Sequence, residues 1–167
     1  MYNYDAAGSG IGALFAILAG LMFFFVIIAI VLHILMALGL YKMAQNRGIE
    51  NPWLAWIPVA NLYILGKLIG SLSISSWEVP SVELFLPIGA VVAAILGQIP
   101  LIGGLISLAF AVLMFFALHR LFKIYRPQSV TLWLILSIIL FFMGPIFIFI
   151  MRNDSLVAEE SSSVSMS

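Results

Sequence analysis

Long apolar runs separated by short polar breaks make up this chain, and the length of each run limits what it can be. From Ile11 to Leu32 there is no charged side chain, and an apolar stretch of about 18 residues or more reads as a membrane-spanning helix. A first helix is predicted over 12–43, longer than the ~30 Å hydrocarbon core, so it must tilt or project. An apolar hairpin follows over 84–96 and 101–122, turned at GQIPLIGG by Gly97, Pro100, Gly103 and Gly104. Its first arm is short and needs a thinned bilayer or burial in protein. Pro127 and Ser129 open a last helix over 130–151, which Gly144 and Pro145 are expected to kink.

The densest polar interruption runs from Tyr41 to Gly70. Gly48 is placed to end the first helix in a left-handed conformation. Asn51 and Pro52 then read as a helix start, the amide accepting from free N–H groups and the proline preset for the first helical position. Trp53 and Trp56, one turn apart, carry amphipathic rings suited to headgroup level. Pro58 interrupts the helix, and Asn61 is expected to cap a second piece. The stretch 52–74 therefore reads as a broken interfacial or re-entrant segment, followed by a polar linker from Ser71 to Glu83. Small residues at Ala16 and Gly20, and at Gly66 and Gly70, mark close helix packing.

Composition fixes the solvent. With 64% hydrophobic and 8% charged residues, against roughly 45–50% and 25% in soluble domains, the chain has too much apolar surface for a water-soluble fold. The expected architecture is all-α: a polytopic helical bundle of four transmembrane helices plus the broken segment. Residues 1–10 form an extracytoplasmic start, 11–152 the membrane domain and 153–167 a disordered tail. Zero net charge gives no support for nucleic-acid binding, and the lack of cysteine excludes disulfides and thiolate metal sites. MYNYDAAGSG carries no Lys or Arg, unlike a signal peptide, so the first helix is expected to stay uncleaved. Four spans put Lys42, Arg47, Lys67, Arg120, Lys123 and Arg126 on the cytoplasmic side and only Arg152 outside, with both termini extracytoplasmic.

Candidate chemistry is sparse. His33 reads as a neutral imidazole bonded to a nearby carbonyl, and Ser107 has no base beside it, so no catalytic residue, cofactor or metal is expected. The candidate surface for docking a partner or lipid is Asn51, Trp53, Trp56, Asn61, Tyr63 and Lys67. Arg120, Lys123 and Arg126 repeat at helical spacing and suit anionic lipid. The expected role is that of a non-enzymatic scaffold or docking subunit whose partners are membrane lipids and a second copy or another membrane protein. The competing reading is an oligomeric channel or transporter component.

Arg47, the NPW of Asn51 to Trp53, the IPVAN of Ile57 to Asn61 with Tyr63, the pair Ile99–Pro100, and Leu121–Phe122 carry a resemblance. In this order they resemble the DUF5684 family of small bacterial membrane proteins. The resemblance covers about 38–145. It implies a bacterial inner-membrane protein with a first span, a loop, a hairpin turned at an IP corner, a basic loop and a last span, and it implies no catalytic residue.

Overall fold

The computed structural model describes residues 4–74, 77–100, 102–140, 142–154 and 156. The chain is mostly helical, and two of its helices, Gly10–Asn46 and Ile102–Tyr125, are long and apolar enough to cross a membrane. Helix α1 (Tyr4–Asn46) starts earlier and ends later than the expected 12–43. It is hydrophobic all round, so through Val31 no face is kept for a protein core; Phe15 and Met22 are 67% and 69% exposed. Burial starts at Ala37, Leu40, Met43 and Ala44, which recur at three- and four-residue steps on one face. Gly48 has φ 61, and the Ile49 N–H donates to the Ala44 carbonyl at 3.0 Å, the expected left-handed stop.

The break at Pro58 is where the sequence placed it, but the caps are not. Pro52–Trp56 is a 3-10 helix, and α2 (Ala60–Ile69) begins after Val59. Asn51 does not cap: it has φ 56, outside the extended region a capping residue needs, and makes no side-chain cap bond. Asn61 does not cap either. It lies inside the first turn of α2, its own N–H bonded to the Ile57 carbonyl at 3.0 Å. Val59 precedes α2 with φ 71, a strained conformation for a β-branched residue.

Helix α2 is the centre of the core rather than a segment resting on a surface. Leu62, Ile64, Leu65, Leu68 and Ile69 are buried by α1, the 3-10 helix, α3 and α4. Ser71 to Glu83, expected as a linker, contains a two-stranded antiparallel hairpin, β1 (Leu72–Ile74) and β2 (Trp77–Val79). Leu72 pairs with Val79 and both are buried, while Ser73 pairs with Glu78 and both are exposed. That period-two alternation makes the fold helical with one small hairpin, not purely α.

Helices α3 (Val82–Leu96) and α4 (Ile102–Tyr125) form the expected hairpin. Its turn is tight because Gly103 lies against the Gly97 backbone, where a Cβ would meet Gly97 Cα at 3.0 Å. Along α4, Leu113, Ala117, Leu121, Phe122 and Tyr125 are buried, so the core again occupies the C-terminal half.

The last apolar stretch departs most from expectation. It is two half-helices, α5 (Val130–Ile139) and α6 (Met143–Ile150), with the break upstream of Gly144 and Pro145. A proline ring excludes the carbonyl four residues before it, so the helix fails ahead of Pro145 and resumes with the proline in a first turn, where its missing N–H matters less. The two halves fold back on each other. Trp133 and Phe147 stack at 4.5 Å, Phe122 meets both edge-on at 5.6 and 6.1 Å, and Arg126 pairs with Asp154. The stretch 130–151 thus leaves and returns to the same end. Arg152 accordingly lies with the end of α1, where its carbonyl accepts from Asn46 Nδ2 at 3.3 Å, not opposite it. The expected tail falls almost wholly outside the described residues.

Candidate functional site

All the cations of the chain gather where α1 and α4 end. Arg47 donates to the Leu68 carbonyl at the end of α2, and Lys67 lies 3.9 Å from Glu83 at the start of α3. Lys42 is exposed on the last turns of α1. Arg126, between α4 and α5, donates from Nη2 to Asp154 Oδ1 at 3.1 Å and lies over the Trp133 ring at 5.3 Å. That hydrogen bond, against some desolvation, raises the guanidinium pKa above its ordinary value. Because a raised base contributes its stability at every pH below its unfolded value, Arg126 holds the hairpin closed throughout the accessible alkaline range.

This ion pair joins the ends of the α5–α6 hairpin, with side chains 40% and 24% exposed. A double-mutant cycle on Arg126→Ala and Asp154→Ala is expected to give a coupling of about 1 kcal/mol in reversible denaturation from detergent. Zero coupling would leave the aromatic stack as the sole closure.

Beside it, between α2 and α4, lies a cavity of about 340 Å³ lined by Arg47, Arg120 and Lys123 together with Leu68, Ile69, Ile124 and, from beyond α6, Leu156. Among the described residues no carboxylate lines it. The Nε of Arg120 is buried and makes no hydrogen bond among the described residues. A smaller cavity of about 200 Å³ lies next to it, with Arg47 in the wall of both and Asp154 also in its wall.

On the other flank stand the tryptophans. A 3-10 helix has three residues per turn, so Trp53 and Trp56 align on one edge, 54% and 43% exposed. The turn is pinned by His33, whose Nε2 donates to the Trp56 carbonyl at 3.1 Å. This is the imidazole–carbonyl pairing expected of His33, and it fixes the proton on Nε2 when the ring is neutral. Trp53 Nε1 donates to Asn51 Oδ1 at 3.4 Å, so Asn51 orients the indole instead of capping a helix.

The chain matches no family model, no curated protein and no solved structure.

The structure divides the candidate residues. Trp53 and Trp56 form an exposed pair; Tyr63 is half-buried with Lys67 Nζ 5.6 Å from its ring. Asn61 leaves the docking set because it is buried among core side chains, 7% exposed. Arg120 and Lys123 share the cavity, but Arg126 is engaged with Asp154 and does not. Gly66 is a packing glycine, its missing Cβ filled by the Glu83 and Val82 backbone, whereas Gly70 with φ 69 ends α2 and touches nothing. Gly20 has open space around it and Ala16 is exposed, so neither packs within the chain. Sequence reasoning missed Arg47, Glu83 and Asp154 as partners. Asp154 carried a signal: opposite charges bracket one apolar stretch, at Arg126 and Asp154, as a returning hairpin requires.

Proposed function

We propose that the chain is a non-enzymatic integral membrane protein of a bacterial inner membrane, a docking subunit whose basic end faces the cytoplasm. One observation carries this reading: all 7 Lys and Arg residues lie toward one end of the helices. In this reading α1 and α4 cross toward the cytoplasm and α3 crosses away from it. The α5–α6 hairpin enters from the cytoplasmic side and returns. The 15 residues of α3 give about 22 Å at 1.5 Å each, which a locally thinned bilayer accommodates. Three crossings leave no Lys or Arg outside, which meets the positive-inside rule better than four crossings with Arg152 outside. The N-terminal end is then extracytoplasmic and the C-terminal end cytoplasmic.

The bare apolar surface of α1, α3 and the outer half of α4 faces lipid. The tryptophans sit at headgroup level, and the partner is a second copy or another membrane protein meeting that edge. A photo-crosslinking residue in place of the exposed Ile57 is expected to capture lipid or protein in native membranes. Alanine at both Trp53 and Trp56 should lower that yield several-fold. An unchanged yield would remove the tryptophan edge as a docking surface.

A channel or transporter component would use the broken hairpin to line a path, which needs polar side chains at its apex. The apex here carries Ile138, Ile139, Leu140 and Phe142, and Ser137 is spent on the Trp133 carbonyl at 2.8 Å.

A further inference from the structure

We infer that the cavity between α2 and α4 binds the phosphate of an anionic phospholipid through Arg47, Arg120 and Lys123. The inference rests on the docking reading above and gives it a ligand. Elsewhere at this end three cations are compensated, Arg126 by Asp154, Lys67 by Glu83, and Arg152 by the Phe149 ring at 3.9 Å and the Phe149 carbonyl at 2.9 Å, while Lys42 stands exposed. The three line one cavity, and among the described residues no carboxylate stands in its wall. Like charges held in one half-enclosed space repel, and an anion between them turns that repulsion into attraction.

The Arg120 Nε is an independent sign. An N–H buried without an acceptor among the described residues is costly. Arg47 is held in place by the Leu68 carbonyl with one of its five donors, and the rest of the fork stays available for a bidentate phosphate contact. Lys123, exposed on the next turn of α4, closes the set as a mobile point charge.

The apolar part of the wall selects the source. Leu68, Ile69, Ile124 and Leu156 border the cations, and a free phosphate would leave them wet, whereas a phospholipid covers them with its glycerol unit and the first methylenes of its chains. About 340 Å³ accommodates such a headgroup but not the full acyl chains, which extend into the bilayer.

The test uses the full chain in nanodiscs, with phosphatidylglycerol titrated into a phosphatidylcholine background and bound lipid counted by native mass spectrometry. Wild type is expected to retain phosphatidylglycerol preferentially. Removing two charges with Arg120→Gln and Lys123→Gln should weaken retention roughly 25-fold, at about fivefold per cation. Lys42→Gln, which removes an exposed cation outside the cavity, should change it little. Circular dichroism confirms that each variant is folded, and Arg120→Lys, which keeps the charge and loses the fork, should fall between the two. Equal retention in the double variant and wild type overturns the inference, as does competition by inorganic phosphate or glycerol phosphate at the affinity of the lipid. Stronger lipid retention after Glu159→Gln and Glu160→Gln, with none before, would assign the cavity to the acidic tail and also overturn it. If the cavity variants do nothing while the Trp53 and Trp56 changes abolish crosslinking, only this inference fails; if neither has any effect, the docking reading falls as well.

Discussion

Gly66→Ala is expected to destabilise the protein by about 3 kcal/mol, while the same change at Gly20 has almost no cost. A Cβ on Gly66 would land on the Cα and N of Glu83 and within 2.8 Å of the Val82 carbonyl. All of these are backbone atoms that cannot rotate away, so either α3 must move or the junction between β2 and α3 must strain. Gly39→Ala should behave alike, since its Cβ would meet both the side chain and the carbonyl of Ile148 at 2.8 Å. Gly20 has nothing within 4 Å, so alanine there should be neutral or add about 0.5–1 kcal/mol through helix propensity. Reversible unfolding in mixed micelles, followed by circular dichroism, measures all three. A Gly66→Ala protein as stable as wild type would mean that α2 and α3 do not meet as described. The same variant should also part Lys67 from Glu83, whose 3.9 Å contact depends on that approach.

What could be read from the sequence follows the range of the forces involved. The α3–α4 hairpin was legible because glycine and proline act on their own turn, and Gly97, Pro100 and Gly103 lie within a few residues of one another. Gly48 was legible for the same reason. Asn51 and Asn61 were misread because a cap requires a dihedral as well as a residue type, and tertiary packing put Asn51 in the left-handed region and carried Asn61 into the core. The strands β1 and β2 were overlooked because three residues of alternation are too few to stand out from the serines around them.

The last helix was misread for a different reason. Hydropathy records how much apolar chain there is, and 130–151 has enough to span; it does not record direction. Direction was set by contacts distant in sequence, Arg126 with Asp154 and Trp133 with Phe147, which no local pattern contains. The same holds for the cationic cavity. Arg120 and Lys123 share a helix face and could be grouped by spacing, but Arg47 joins them only because α1, α2 and α4 converge. Arg126 leaves the group only because a carboxylate from the far end of the hairpin reaches it.

A returning hairpin makes an all-or-none prediction for labelling from the two sides of the membrane. The chain has 0 cysteines, so each engineered cysteine is a unique reporter. Gln128 and Asn153 flank the hairpin and are both exposed, and in the proposed orientation cysteine at either is expected to be shielded from an impermeant maleimide in intact cells and to react once the membrane is permeabilised. Arg47→Cys should follow them. Gly10→Cys and Gln98→Cys, at the opposite end of the helices, should react in intact cells. If α5 and α6 instead crossed as one kinked span, the reagent would reach position 153 from outside while position 128 stayed protected. That result would separate Arg126 from Asp154 by the thickness of a bilayer, so the same labelling also decides whether the ion pair exists in the membrane. It would equally move Arg152 away from Arg47 and undo the single-ended distribution of charge on which the docking proposal depends.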